Sequence, residues 1–449
     1  MKIKTFLFIF GLLILICAYA TADTELNGFI KSDNRLLVSE DELTFVDIYN
    51  TLRLKVNAKI SDKVSAFSSL DLRYHDFSTA ENPAALGERA KINPLDFGVG
   101  EAYVDIFGFP LDSIDLRIGK QRIAWGTADT LNPTDNLNPD DFSDPLDFGR
   151  KLPTTALLAT YYLGDYTLTG IWLPALRPVL LSKTGFTFAQ EIPSLPLPPT
   201  LKIAEREERL ILPEPLPKNS MFAAKLKRTL LNVDWSISYF RGFDDIPILN
   251  SITATPIDAT SLKITSELSF PKLNVIGADL AGEFLSIGFW GEGAIFLPDE
   301  ESTLSITAPG PQGTPQTEKQ TMLKDEAYFK YTVGLDYTFK GGIYINAQYM
   351  HGFFHERGQE NLQDYIIARV EKEFFDEELK VALSGGLEIK EFDDIKNSIG
   401  YILVPELTLK PADSIEIVLG IFLLDGKEGT LFGQWKDQDQ TYLKVKVDF

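Results

Sequence analysis

The chain has 449 residues, 24% of them charged, and a formal net charge of −21, so a nucleic-acid partner is disfavoured from the outset. Its single cysteine, Cys17, excludes both a disulfide framework and a thiolate metal cluster. Past residue 23 no stretch of about 18 apolar residues occurs, which excludes a membrane-spanning helix and leaves strands as the only route across a bilayer.

At the start of the chain, Lys2 and Lys4 precede an apolar run from Phe6 to Ile16, followed by small residues at Ala18, Ala20 and Ala22. This is the pattern of a secretory signal peptide, with cleavage expected after Ala20 or Ala22. A lipoprotein signal would need a small residue where Ile16 precedes Cys17. The expected organisation is a signal peptide over residues 1–22 and a single domain over residues 23–449.

From there the dominant signal is alternation with period two. Val46, Ile48, Leu52, Leu54, Val56 and Ala58 share one face of a strand whose other face carries Asp47, Tyr49, Thr51, Arg53, Lys55 and Asn57. The split recurs with Leu70 and Leu72 against Asp71 and Arg73, with Phe329, Val333 and Leu335 against Lys330, Thr332 and Asp336, and with Val381, Leu383 and Leu387 against Lys380, Ser384 and Glu388. These runs are about ten residues or longer, the length a tilted transmembrane strand needs, whereas strands of soluble sandwiches average five or six. The predicted fold class is all-β, a transmembrane antiparallel β-barrel with long outer loops.

Connection lengths supply the strand count. Short links are expected at 59–62, 108–113, 163–165, 229–230, 282–285, 340–342, 375–377 and 410–413. Longer ones fall at 76–98, 125–153, 174–219, 241–271, 297–326 and 425–438. Taking 262–269 as a barrel strand would give nineteen and break this alternation of short and long. Assigning it to the preceding loop gives eighteen, with both termini on the short-turn side. The 174–219 loop holds nine prolines, including Pro193, Pro196, Pro198 and Pro199, which favour extended polyproline conformation, and within it Leu201 to Leu212 is expected to form a short amphipathic helix. Two readings stand for this loop, an outer shield and a lid folded inward.

The last strand ends on Phe449, with Leu443, Val445 and Val447 on its face and Tyr442, Lys444 and Lys446 opposite. A terminal aromatic closing an alternating strand is the signal that barrel-assembly machinery reads. Closure would pair this strand with the first, around Phe29 to Leu37, and remove the exposed edges.

The sharpest local feature is Arg117 to Asp141, where a strand ends at Trp125-Gly126 and an acidic loop follows. Asn132-Pro133 and Asn138-Pro139 fix turns in that loop, because proline presets φ and asparagine bonds its own backbone. Asp129, Asp135, Asp140 and Asp141 are expected at a mouth or constriction, as a solvated acidic loop; as alternatives they supply oxygen ligands for Ca²⁺ or for divalent bridges to lipopolysaccharide. The spacing matches no EF-hand. Arg117, Gly119, Gln121, Trp125, Gly126, Asn132, Pro133 and Asp135, together with Leu273 to Ala281, resemble the alginate-export-type porins and related outer-membrane families. The resemblance implies an eighteen-stranded barrel passing a polar solute, anions included.

Strand parity places Lys31, Arg35, Arg53, Lys55, Arg73, Arg117, Gln121, Lys444 and Lys446 on the lumen face, and closure makes the strands of all but Arg117 and Gln121 neighbours in one basic wall. Such a wall favours anions in a pore, unless Asp33, Asp47 and Asp71 neutralise it by pairing. His351 and His355 lie too far apart on a strand, at about 13 Å, for a shared metal. No cofactor motif and no catalytic triad is expected, so the chain reads as a non-enzymatic channel for small polar solutes in contact with outer-membrane lipid and lipopolysaccharide. The rival reading is a plugged structural or adhesive surface barrel whose outer loops do the work.

Overall fold

The computed structural model describes residues 23–38, 43–144, 146–182, 201–258, 260–309 and 314–449. The signal-peptide expectation and Pro193 to Pro199 fall outside them.

Eighteen antiparallel strands close into one barrel: β1 (Asp23–Val38), β2 (Leu43–Ser61), β3 (Val64–His75), β4 (Leu95–Ile106), β5 (Ile114–Gln121), β6 (Thr154–Leu163), β7 (Tyr166–Leu173), β9 (Met221–Leu230), β10 (Val233–Phe243), β13 (Lys272–Phe284), β14 (Ile287–Pro298), β17 (Tyr328–Thr338), β18 (Ile343–His351), β19 (Asp364–Phe374), β20 (Leu379–Ile389), β21 (Ile399–Ala412), β22 (Ile415–Gly426) and β23 (Gln440–Asp448). Closure runs from Phe29 opposite Asp448 to Leu37 opposite Gln440. Gly28 and Phe449 exchange both backbone hydrogen bonds, at 2.9 and 3.0 Å, so the terminal aromatic sits on the seam.

Alternation has the physical result expected of it. Ile30, Ile118, Ile237, Ile276, Val333, Leu335, Leu383, Leu419 and Leu443 are exposed around the outside, while Asp33, Thr51, Gln121, Glu292, Lys330 and Glu388 are buried within. A closed surface of that kind is stable against lipid, and closure leaves no strand edge unsatisfied there. Among the described residues no helix is long and apolar enough to cross a membrane.

Strand pairs at the short-turn end are joined tightly. Leu231-Asn232 and Leu285-Ser286 carry positive φ at both residues, the twist-matching hairpin geometry, and Gly164 (φ 58°) supplies it between β6 and β7. At the other end the loops are long, and three of them build a second, five-stranded sheet from β8 (Lys202–Ile211), β11 (Ile248–Pro256), β12 (Ser261–Ser269), β15 (Ser302–Pro309) and β16 (Pro315–Leu323), in the order β16-β15-β11-β12-β8. Its core is Leu249, Ile252, Ala254, Leu262, Ile264, Leu304 and Ile306. The segment 262–269 is therefore a strand but not a barrel strand, as the loop alternation required. The expected helix over Leu201 to Leu212 is corrected to strand β8. It pairs in parallel with β12, and Glu205, Glu207 and Arg209 meet Lys263 and Glu267 across the pair, contacts that a helix could not make.

Candidate functional site: the lumen and its inward loop

The connection between β5 and β6, residues 122–153, does not stand out from the barrel. Ile123, Trp125, Leu131, Leu137, Phe142 and Leu146 are all buried, and all but Phe142 divide between two apolar clusters of the inner wall. Ile123, Trp125 and Leu137 pack with Phe240, Leu273, Val275 and Phe296 on one side. Leu131 and Leu146 pack with Met350, Phe353, Phe422 and Phe432 on the other. Burial of these side chains, at about 1.5–3 kcal/mol for each large one, is the force that draws the loop inward.

Polar contacts fix its position. Glu292 on β14 holds the turn at 127–134 with both carboxylate oxygens. Oε2 accepts from the N–H groups of Thr127 (2.8 Å) and Ala128 (2.9 Å) and from Asn132 Nδ2 (3.2 Å), while Oε1 accepts from the Thr134 N–H (2.8 Å) and hydroxyl (2.7 Å). Gly126 permits this approach, since a Cβ there would run into the Glu292 carboxylate. The Lys225 ammonium on β9 donates to the Trp125 carbonyl and lies over its ring, and Asn346 on β18 donates to Asp129 at 3.1 Å. From β1, Arg35 forms a two-pronged pair with Asp144 at 2.5 and 2.8 Å and also reaches Asp33 at 3.0 Å. Asn138 brackets Ile123, accepting from its N–H at 3.1 Å and donating to its carbonyl at 2.6 Å. The loop is thus tied to β1, β9, β14 and β18, on widely separated parts of the wall.

Most of its acidic residues are buried or half-buried among partners, while Asp129 and Asp147 are exposed, the first accepting from Asn346 and the second 3.8 Å from Arg150. Asp140 pairs with Lys151 at 2.7 Å and Asp141 with Arg150 at 2.6 Å, and both carboxylates are buried. Asp135 accepts from the Leu137 N–H and from Asn138, both at 3.3 Å. The solvated-loop reading is corrected for Asp140 and Asp141, whose carboxylates meet Lys151 and Arg150 instead of water. Among the described residues no group of three His, Cys, Asp or Glu is arranged to hold a metal ion. Asp245, between β10 and β11, accepts from the Asp140 N–H at 2.7 Å. Burial, reinforced by the Asp140 carboxylate, pushes its pKa up to about 7. Burial also lowers His355 to about 3, helped by the charges of Lys330 and Arg357. His351 is held by Asp364 at 2.9 Å, so the two histidines have separate environments.

The basic side chains expected along the wall are partly neutralised by pairing. Lys31 stands opposite Lys446, and Lys444 opposite Asp33. Asp33 takes Lys31 (3.4 Å) and Arg35, Asp71 takes Arg53 (2.5 Å), Asp105 takes Arg117 (2.6 Å) and Asp448 takes Lys446 (2.8 Å). Asp47 approaches His75 instead, at 3.9 Å. Among the described residues Lys55, Arg73 and Lys444 form no ion pair; Arg73 lies over the Tyr49 ring and Lys444 over Tyr442. Two expected wall residues do not reach open lumen. Arg35 is buried beneath the inward loop, and Gln121 is fully buried with its amide donating to the Ala156 carbonyl at 3.1 Å, which ties β5 to β6.

Open space remains on both sides of the loop. One cavity of about 510 Å³ is bounded by Glu101, Tyr103, Arg117, Arg122, Trp125 and Asn132. A second, of about 300 Å³, is bounded by Phe148, Phe353, Arg369, Glu406, Tyr442 and Lys444. Sequence reasoning missed Glu292, Lys225, Asn346 and Asp245. One signal for Glu292 was legible: the register sets it directly opposite Asp279, and two facing acids require donors from elsewhere.

No family model matches the chain, and no curated protein matches it in sequence. Among solved structures it is similar to the outer membrane protein opdK from Pseudomonas aeruginosa, at 11% identity and a TM-score of 0.50, over 95% of this chain and 98% of that one. It is similar also to Pseudomonas aeruginosa OccK9 (OpdG), at 10% identity and a TM-score of 0.51, over 95% and 99% of the two chains. Acinetobacter baumannii OccAB3 follows at 9% identity and a TM-score of 0.50, again over 95% and 99%. The likeness lies in the fold and lends no support to the narrower alginate-export resemblance. The fold shared with these outer-membrane proteins is a closed eighteen-stranded antiparallel β-barrel.

Proposed function

We propose that the chain is an outer-membrane channel for passive diffusion of small polar solutes, with anions preferred. The observation that supports this reading is the open space left on both sides of an anchored inward loop, bounded by Arg117 and Arg122 on one side and by Arg369 and Lys444 on the other. Basic side chains held on rigid strands favour anions at close quarters, while the loop sets the passable width. Lys31, Arg53, Lys55, Arg73, Arg117, Lys444 and Lys446 act as lumen-wall residues, and the segment from Asp129 to Asp141 acts as the constriction. We assign no catalytic role and no cofactor. The location this function requires is the outer membrane, with lipid and lipopolysaccharide against the outer face and Phe449 presented to the assembly machinery.

The test is reversal potential across a planar bilayer in a salt gradient. Anion-directed potentials carried by an open current support the proposal. Cation preference overturns the charge reading, and the lack of a solute-dependent current favours the plugged surface barrel.

A further inference from the structure

We propose that β8 is a self-association edge, through which two copies of this chain join their outer sheets by antiparallel β8–β8 pairing. β8 is the terminal strand of the five-stranded sheet. Its one neighbour among the described residues is β12, and nine of its ten residues are exposed. An unpaired edge of that length is a template for another strand, and charges on it select which strand can be added.

The sequence of β8, KIAEREERLI, is complementary to itself in one antiparallel register, with the two-fold axis at Glu207. On one face Ile203 then lies opposite the second copy's Ile211, and Glu205 opposite its Arg209. On the other face Ala204 meets Leu210 and Arg206 meets Glu208. The two-fold makes each contact twice, as an isologous interface requires. Moving the axis one residue either way, the smallest step that keeps the two-fold, sets Arg206 against itself and Glu205 against Glu207, or Glu208 against itself and Arg206 against Leu210. Either change sets like charges directly opposite each other, which is destabilising.

Two further observations single out this register. Arg206 and Glu208 have no ion-pair partner among the described residues, although Glu205, Glu207 and Arg209 all do. The charges left over within one copy are therefore those that meet between two. The one like-charge contact, Glu207 against itself, is already compensated within each copy by Lys263 at 2.7 Å and Arg209 at 2.8 Å. Exposed Ile203, Leu210 and Ile211 close the two ends of the pairing with apolar contact. Opposite-charge and apolar cross-strand pairs of this kind are the ordinary unit of sheet stabilisation.

The experiment uses the full chain in detergent and in lipid vesicles, in a Cys17→Ser background. Sedimentation of the unmodified chain should show a dimer. Arg206→Glu should give monomer, because it sets Glu against Glu at two places, and the double swap Arg206→Glu with Glu208→Arg should restore the dimer. Glu207→Cys should oxidise to a covalent dimer, since antiparallel neighbours lie within disulfide reach, whereas Lys319→Cys on β16 at the other end of the sheet should not. A monomeric unmodified chain overturns the proposal. Failure of the double swap to restore what Arg206→Glu removes overturns it as well, as does equal crosslinking at position 319. Bilayer conductance, recorded on the same samples, reads the channel proposal separately.

Discussion

Replacing Glu292 by alanine removes, in one step, the acceptor for three backbone N–H groups and two side-chain donors of the inward loop. Each buried donor left unpaired costs about 1–3 kcal/mol, and charged acceptors lie at the upper end of the scale. Counting the three backbone groups alone, at the lower limit, gives about 3 kcal/mol. That is a shift of roughly 100-fold in the balance between docked and released loop. Glu292→Gln should fall between, since it keeps one acceptor oxygen and turns an amide N–H toward donors that need an acceptor. The barrel itself should survive, because β14 keeps its backbone ladders to β13 and β17. Single-channel recording is the assay: the alanine variant should show larger mean conductance and added current noise, and limited proteolysis should cut within residues 122–153. Wild-type conductance and noise in Glu292→Ala, with the loop still protected, would refute the view that this carboxylate positions the loop.

Arg35→Met should loosen the other end of the same loop by about 3–5 kcal/mol, because it strands the buried carboxylate of Asp144, whereas Asp33 keeps Lys31 and the Tyr49 hydroxyl; amide exchange of residues 142–144 reads it. Asp144→Asn should cost less, since Arg35 keeps Asp33. The pKa of Asp245 is raised from 3.8 to about 7, so its contribution to docking is fully present below about pH 4 and is lost as pH rises through 7. Exchange protection of the Asp140 amide should therefore be greater at pH 5 than at pH 8, and Asp245→Asn should remove that difference. Changing Lys55, Arg73 and Lys444 together to Gln should move the reversal potential toward cations while leaving conductance within about twofold, since none of the three forms an ion pair that holds the wall. An unchanged potential would locate the selectivity elsewhere.

The barrel was legible because its physics is local. Alternation such as Leu52, Leu54 and Val56 against Arg53 and Lys55 states which face meets lipid, whatever lies next to it. The assignment of 262–269 shows the limit of that rule. Its alternation is real, and Leu262 and Ile264 are buried, but in a different sheet, so only the parity of the loops separated it from the barrel. The segment 201–212 was misread because Glu and Arg at close spacing satisfy a helical face as readily as a strand. What decided its state was β12, some sixty residues away. The inward course of 122–153 left a trace in six apolar residues too many for a solvated loop. Its anchors did not, because the pairings of Arg35 with Asp144 and of Asn346 with Asp129 exist only once the barrel has closed.

The outer sheet places an order on assembly. Its strands come from three separate loops, and two of its pairings, β8 with β12 and β11 with β15, are parallel. No hairpin can form either one, so neither exists until the barrel strands between have brought the loop ends together. The sheet must be among the last parts of the molecule to complete. A chain halted just after β13 would lack β15 and β16, leaving the β11 edge and the core side that Leu304 and Ile306 cover open to whatever is nearby. Three loops that share one core are also bound to one another in evolution: a residue gained or lost in any of them shifts a register that the other two must match.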